Sequence, residues 1–319
     1  MSFGSSRRGR QIALALRSAK TRADAGKRSS FKNWWYFDTN CLSELVKEYR
    51  RSGTQAIANL ISGKDILLSN TVLVEMRKRP DLLDKLEQAL QPAKPFLVPD
   101  IWRFWDADIA NFLNVDQIAL NVLDVFPVPA GFLASLSQNR RFSQVSNTME
   151  LELDRGFLSG LAPDVGSRMD ERDLCMVIWS KIANHAKQYA KVEIPWVDVT
   201  PAAFPSFYVY FYTYYFKFMR SNCVAPELND ALDLTNSLPL PYCERYYGER
   251  AFTNVLKSVQ AHEPPSSWAL CTRAYKEHRI DYQTYKALKD KREQVSQTSP
   301  MLEGVHIFNF SELQSHLQG

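Results

Sequence analysis

Along this chain, short uninterrupted apolar runs alternate with stretches of helical spacing. Residues 34–37, Trp-Trp-Tyr-Phe, form one such run and stop at Asp38, after which Leu42, Leu45, Val46 and Tyr49 recur on one helix face. This predicts a buried strand ending at Phe37 and a helix to about Arg51. Residues 65–69, Asp-Ile-Leu-Leu-Ser, repeat the arrangement. Ser69 or Asn70 can cap the next helix, which carries Val72, Val74, Glu75 and Met76 in its first two turns. Pro80 opens another helix with Leu82, Leu83, Leu86 and Leu90 as its stripe. The chain closes with a strand over 305–310 and a helix capped near Ser311. Strands alternating with helices predict an α/β fold with a central parallel sheet. Such sheets bind ligands beyond the carboxyl ends of their strands.

The middle of the chain follows a different pattern. Residues 91–102 carry three prolines and read as a junction. From 95 to 205 the pattern predicts helical pieces and loops with few strands, interrupted at 125–132 and 159–167. Residues 206–219, Ser-Phe-Tyr-Val-Tyr-Phe-Tyr-Thr-Tyr-Tyr-Phe-Lys-Phe-Met, are mostly aromatic. Phe207, Phe211, Tyr214, Tyr215 and Phe218 share one helix face, with Tyr208 and Tyr212 on the other. The segment reads as a core helix packed on both sides, or as a stacking platform for bases. It contains Lys217 and falls short of the ~20 residues of a membrane span, so no membrane association is expected. The organisation is a basic arm over 1–30, a first part of the α/β domain over 31–94, a mostly helical insertion over 95–205 and a second part over 206–319.

Charge adds one feature to this picture. The 319 residues carry a net +4, yet residues 1–32 hold nine Lys/Arg against one acid, a net +8. Arg7, Arg8, Arg10, Lys27 and Arg28 are candidate nucleic-acid contacts, because a basic arm binds phosphates without reading sequence. A solvated terminus or an Arg- and Ser-rich transit segment fits the same composition. Five scattered cysteines without a CxxC pair point to reduced thiols and a cytoplasmic setting. The dispersed histidines offer no zinc-finger or HExxH spacing.

The candidate chemistry lies in the acids. Asp38 follows the first strand and Glu75 sits early in a helix. Asp230 and Asp233, three apart, share a helix face. Glu244 and Glu249 flank the apolar and aromatic residues around 243–248. Each has a plain structural reading as well: Asp38 and Asp230 as helix caps, Glu75 as a surface residue, Asp233 as the partner of a Lys or Arg. Gathered together they would raise one another's pKa unless a cation met them, and hard divalent cations take such oxygen ligands. Two such ions about 4 Å apart can activate water for phosphodiester hydrolysis.

Three stretches, YFDTNCLSEL, ILLSNTVLVEM and NDALDLTNSLPLPYCERYYGERAF, and the closing VHIFNFSELQSHL, together resemble the PIN-domain nuclease family. The likeness covers about 31–90 and 205–319. It implies a PIN-like three-layer α/β fold with a central parallel sheet, and Mg²⁺ or Mn²⁺ held by Asp38, Glu75, Asp230 and Glu249. Asp233 joins the catalytic acids, and Asn40 and Glu244 support them. The implied activity is metal-dependent endonucleolytic cleavage, with RNA favoured and an antitoxin or other protein as a partner. The family usually has Asp where Glu244 and Glu249 stand, and Thr or Ser where Gly248 stands. Those departures favour the alternative, a catalytically inactive nucleic-acid-binding or assembly module. A small-molecule phosphohydrolase is the third class.

Overall fold

The computed structural model describes residues 33–113, 123–137, 139, 170–194, 198–220, 228–278, 280–290, 292 and 300–318. The basic arm, with Arg7, Arg8, Arg10, Lys27 and Arg28, lies outside the described residues, as does the break at 159–167.

Six strands form one sheet: β1 (Trp34–Phe37), β2 (Asp65–Ser69), β3 (Lys94–Val98), β4 (Phe126–Pro127), β5 (Cys243–Gly248) and β6 (His306–Asn309). Their order is β4-β3-β2-β1-β5-β6, with every pairing parallel except the antiparallel β3–β4 edge. The helices are α1 (Thr39–Ser52), α2 (Thr54–Ile61), α3 (Asn70–Met76), α4 (Pro80–Ala89), α5 (Arg103–Phe112), α6 (Phe132–Ser137), α7 (Glu171–Tyr189), α8 (Pro205–Tyr214), α9 (Leu228–Asn236), α10 (Arg250–Gln260), α11 (Ser267–Lys276), α12 (Tyr282–Lys289) and α13 (Phe310–Gln318). The expected α/β fold with a central, mostly parallel sheet is present.

β1 is a central strand, which explains its four consecutive apolar residues: both faces are covered, and all four are buried. From β1 the chain moves outward through β2, β3 and β4, then returns to β5 on the other side of β1. The order of strands therefore reverses between β1 and β5. A crevice opens at such a point, because the helices that follow the two strands leave in different directions.

The strand ends also start helices. Asp38 after β1 accepts from the Cys41 N–H at 2.8 Å, and Ser69 at the end of β2 accepts from Val72 N–H at 3.2 Å. Asn309 at the end of β6 accepts from Ser311 and Glu312 N–H while the Glu312 carboxylate accepts from Asn309 N–H, a reciprocal capping box.

One finding differs from the sequence pattern. β3 and β4 come from the stretch expected to be mostly helical. Pro95 and the flanking prolines mask β3, yet Phe96, Leu97 and Val98 pair with Leu67, Leu68 and Ser69. Pro at the start of a strand, or in an edge strand, removes little from the ladder. The aromatic segment is core, with every residue from Ser206 to Tyr214 buried. It then passes into a π-helical turn, Tyr215–Met219.

The start of α8 is satisfied from a distance. The fully buried Asp108 of α5 accepts from Ser206 N–H at 2.8 Å, from Phe207 N–H at 3.3 Å, and from the Tyr242 hydroxyl. Burial pushes its carboxyl up to about 7, while the Tyr242 hydroxyl and the two N–H donors pull it back. Among the described residues no helix is long and apolar enough to cross a membrane.

Asp108→Ala should lower stability by about 3 kcal/mol, since it strands two buried N–H donors and a phenol. Asp108→Asn should cost less, because its amide oxygen can still accept. Urea unfolding of both variants checks this; equal losses would show that the carboxylate is not the cap of α8.

Candidate active site

The crevice between β1 and β5 is built around Asp38. Its Oδ1 accepts from Cys41 N–H and caps α1. Its Oδ2 accepts from Glu249 N–H at 2.7 Å, 211 positions further along the chain. The backbone repeats the tie: Asp38 N–H donates to Tyr247 O at 2.9 Å. One carboxylate thus starts a helix on one strand and clasps the end of the next. Burial raises its pKa to about 6, against the lowering effect of its N–H donors, and Asp233 adds repulsion.

Glu75 lies in the last turn of the short helix α3, its Oε2 accepting from the Thr39 hydroxyl at 2.5 Å. That bond brings the element after β2 against the element after β1. Burial raises Glu75 to about 7; Thr39 lowers it, Asp233 and Asp38 raise it further, and Lys78 lowers it. Asp233, on α9, is raised by burial, drawn back by Lys217, and raised again by Asp230 and Glu249. Asp38, Glu75 and Asp233 therefore share one electrostatic environment at the carboxyl edge of the sheet, with Asp230 and Glu249 bearing on Asp233.

The position of α9 follows from a buried polar network beneath these acids. Asn236 Oδ1 accepts from the Tyr36 hydroxyl at 2.8 Å and from the Thr71 hydroxyl at 2.9 Å. Ser69 Oγ lies 2.8 Å from both hydroxyls. β1, β2, α3 and α9 are tied at one point, three residues from Asp233. The Ser69 hydroxyl caps α3, as its position at the strand end predicts.

The remaining expected residues divide. Asp230 is not a helix cap: α9 begins at Leu228, and the Asp230 carboxylate pairs with Lys217 Nζ at 2.9 Å. Asp233 pairs with the same ammonium at 2.6 Å. Glu249 is an exposed residue at the start of α10, and its backbone N–H, not its carboxylate, holds Asp38. Asn40 is exposed in the first turn of α1, where the backbone of Cys41 does the orienting expected of Asn40. Glu244 is a correction. It sits near the start of β5, at the bulge opposite Trp34 and Trp35, and pairs with Arg245 at 3.5 Å. In a parallel sheet that is the edge opposite Asp38.

Sequence reasoning missed two residues. Lys217 stood out only as a blemish in an aromatic run, although a basic residue inside a buried aromatic helix needs an acidic partner. Tyr246 was read simply as part of a strand. Among the described residues its fully buried hydroxyl has no hydrogen-bond partner, and Asp38 and Asp233 are the first charges that bear on it. The ring also accounts for Gly248, since a Cβ there would collide with the Tyr246 phenol.

Among the described residues no group of three or more His, Cys, Asp or Glu side chains is arranged to hold a metal ion. The oxygens are already engaged by N–H groups, by Thr39 and by Lys217. The donor set is nevertheless all carboxylate, the kind a hard divalent cation takes, and Lys217 and Lys78 bear on it as cations. Comparison with protein families, with curated proteins and with solved structures finds no match.

Because Asp38 and Glu75 are held above their unfolded values, the folded state binds their protons more tightly. The resulting stability is fully present below about pH 4 and is lost as pH rises through about 6 to 7. In EDTA, Glu75→Gln should therefore match wild type at pH 4 and exceed it at pH 8, by on the order of 2 kcal/mol. Parallel stability curves from pH 4 to pH 8 would show that Glu75 is solvated.

Proposed function

We propose that this protein is a metal-dependent nuclease acting on RNA, with its centre at the carboxyl edge of β1 and β5. The observation that carries the reading is Asp38 at the strand end, clasped to Glu249 and linked through Thr39 to Glu75, both carboxyls raised by burial and by the like charge of Asp233. Carboxylates kept in such a state need cationic company, and perturbed acids in a strand-end crevice mark functional sites. The PIN-domain resemblance supplies the reaction class and the preference for RNA.

Asp38, Glu75 and Asp233 would hold Mg²⁺ or Mn²⁺, whose charge would polarise the phosphodiester and help generate the nucleophile. The chain's own residues do the rest. Asp38 keeps the ends of β1 and β5 together. Thr39 orients Glu75. Asn236 and Tyr36 fix α9, and with it Asp233. The exposed Glu249 stands at the mouth beside them. The basic residues of 1–32 contribute phosphate contacts.

The test is single-turnover cleavage of labelled single-stranded RNA and DNA across a Mn²⁺ titration. Wild type should cut RNA only with metal. Glu75→Gln should be slower by about 10-fold or more, and Asp38→Ala slower still, since it removes both the proposed ligand and the clasp. Glu244→Gln, at the opposite sheet edge, should match wild type. Binding of RNA without cleavage at any Mn²⁺ concentration would replace the nuclease with a nucleic-acid-binding module. The ion pairs of Asp230 and Asp233 with Lys217 are the observation that favours that second reading.

The arm is tested separately. Deleting residues 1–28 should weaken RNA binding and reduce the salt slope by about 0.7 per lost phosphate contact. An unchanged slope removes the arm from the interface.

A further inference from the structure

Away from the crevice, the pair of helices α11 and α12 gathers positive charge and aromatic surface. Residues 267–292 hold seven Lys/Arg against three acids, a net +4, while the rest of the chain beyond 1–32 is net negative. A basic stretch concentrated on one pair of helices is the electrostatic footprint of a polyanion.

Four rings run along this hairpin. Trp268 and Tyr285 stack with centroids 5.6 Å apart, Tyr285 and Tyr275 stack at 4.3 Å and 14°, and Tyr275 meets Tyr282 at 6.2 Å. The Arg292 guanidinium lies over Trp268 at 5.6 Å and covers that end. Trp268, Tyr275 and Tyr285 are half-buried and have a structural task, the seam between α11 and α12. Tyr282 stands at the open end of the series. It is 58% exposed, the barest large apolar side chain among the described residues. One scattered exposed ring needs no explanation, but this one extends a stack of rings and lies among unpaired cations.

Lys286 and Lys289 follow Tyr282 by four and seven positions, so the three form one exposed stripe of α12. Among the described residues neither lysine has an ion-pair partner, and nor has the exposed Lys276 at the end of α11. The other charges of the hairpin are engaged. Arg273 pairs with Asp170 at 2.8 Å, with Asp173 at 3.3 Å and with Glu277 at 2.6 Å, which anchors α11 to the start of α7. Asp281 caps α12 by accepting from Thr284 N–H at 2.7 Å. Asp290, beyond the last turn of α12, is the remaining acid.

An aromatic face beside lysines suits a ligand that offers flat bases and phosphates together. A duplex offers its phosphates but keeps its bases stacked inside, whereas a single strand offers both. We propose that the α11–α12 hairpin is a docking surface for single-stranded RNA, with Tyr282 stacking on a base and Lys276, Lys286 and Lys289 meeting phosphates. The choice of RNA over DNA rests on the nuclease reading above; the surface itself is independent of the crevice and of any metal.

The experiment is fluorescence anisotropy of the full-length protein in EDTA with labelled oligouridine of about 12 nucleotides, a length within the site sizes of single-strand binders. The deoxy oligomer, an RNA duplex, heparin and polyglutamate are the comparison ligands. Tyr282→Ala should weaken oligouridine binding by about 5-fold or more, and Tyr282→Phe should bind as wild type. Neither should change the melting temperature or the binding of heparin. Replacing Lys286 and Lys289 by Gln should reduce the salt slope by about 0.7 per lost contact. The proposal is overturned if wild type does not bind oligouridine, or if Tyr282→Ala binds it as wild type does. An equal loss on heparin or the duplex would reduce the surface to charge alone. Tighter Tyr282-dependent binding of the deoxy oligomer would make it a DNA surface, and Tyr282-dependent binding of polyglutamate would make it a surface for an acidic protein; each of these also overturns the proposal. The nuclease reading is judged on cleavage alone. Cleavage of RNA with Mn²⁺ by a protein indifferent to Tyr282→Ala keeps that reading while this proposal falls, and Tyr282-dependent binding without cleavage does the reverse.

Discussion

The carboxylate of Asp38 has two oxygens and gives each to a different part of the chain. One stops β1 and starts α1; the other closes on the backbone of Glu249, where β5 hands over to α10. Parallel strands cannot be joined by a tight hairpin, so the ends of neighbouring strands need some other tie. Here the tie is a side chain. It fixes the registry of β1 against β5 at the point where the sheet reverses its order, and it does so with a charged group that burial disfavours. Two N–H donors offset part of that penalty, and the carboxyl still rises to about 6.

The other acids are arranged about this clasp by neutral hydrogen bonds. Thr39, the next residue after Asp38, holds Glu75. Tyr36, two residues before it, reaches Ser69 and Asn236. Three elements distant in sequence are therefore indexed to residues 36–39. A buried network of this kind is stable only when every member is satisfied, and the tyrosine, serine, threonine and asparagine at its centre satisfy one another. Small residues matter for the same reason. Gly248 lets the Tyr246 ring fold against the backbone where any side chain would collide, so the glycine at that position is a consequence of the tyrosine two residues earlier.

Charge then sets what the crevice can do. Asp38 after β1 and Glu75 on α3 both feel Asp233 of α9 as a like charge, and Lys217 enters from the π-helical turn to meet Asp230 and Asp233. Its burial among Phe218 and Phe252 is compatible with charge because those rings present their faces to it. Asp38 and Glu75, raised by burial and by the like charge of Asp233, are the groups on which the nuclease reading rests.

Much of this was written locally. The run Trp34–Phe37 fixed a buried central strand, because four apolar residues in succession fit a strand covered on both faces. Ser69 was legible as a cap and Asp38 as the end of β1 and start of α1, because strand-end spacings are local properties, whereas the last cap fell at Asn309 and not at Ser311. Strand β3 was not legible, since Pro95 disrupts the local signal while the ladder to β2 supplies the pairing. Glu244 was misplaced because apolar runs do not reveal which end of a strand faces the crevice; only the parallel register with β1 does. Lys217 and Tyr246 could not be assigned from their neighbours at all. Their partners, Asp230, Asp233 and Gly248, come from other turns of the chain or from the packing of a ring onto its own strand. Sequence determined which residues carry charge and which elements carry them. Tertiary structure decided which charges meet, because the energy of a buried ion depends on what surrounds it in space.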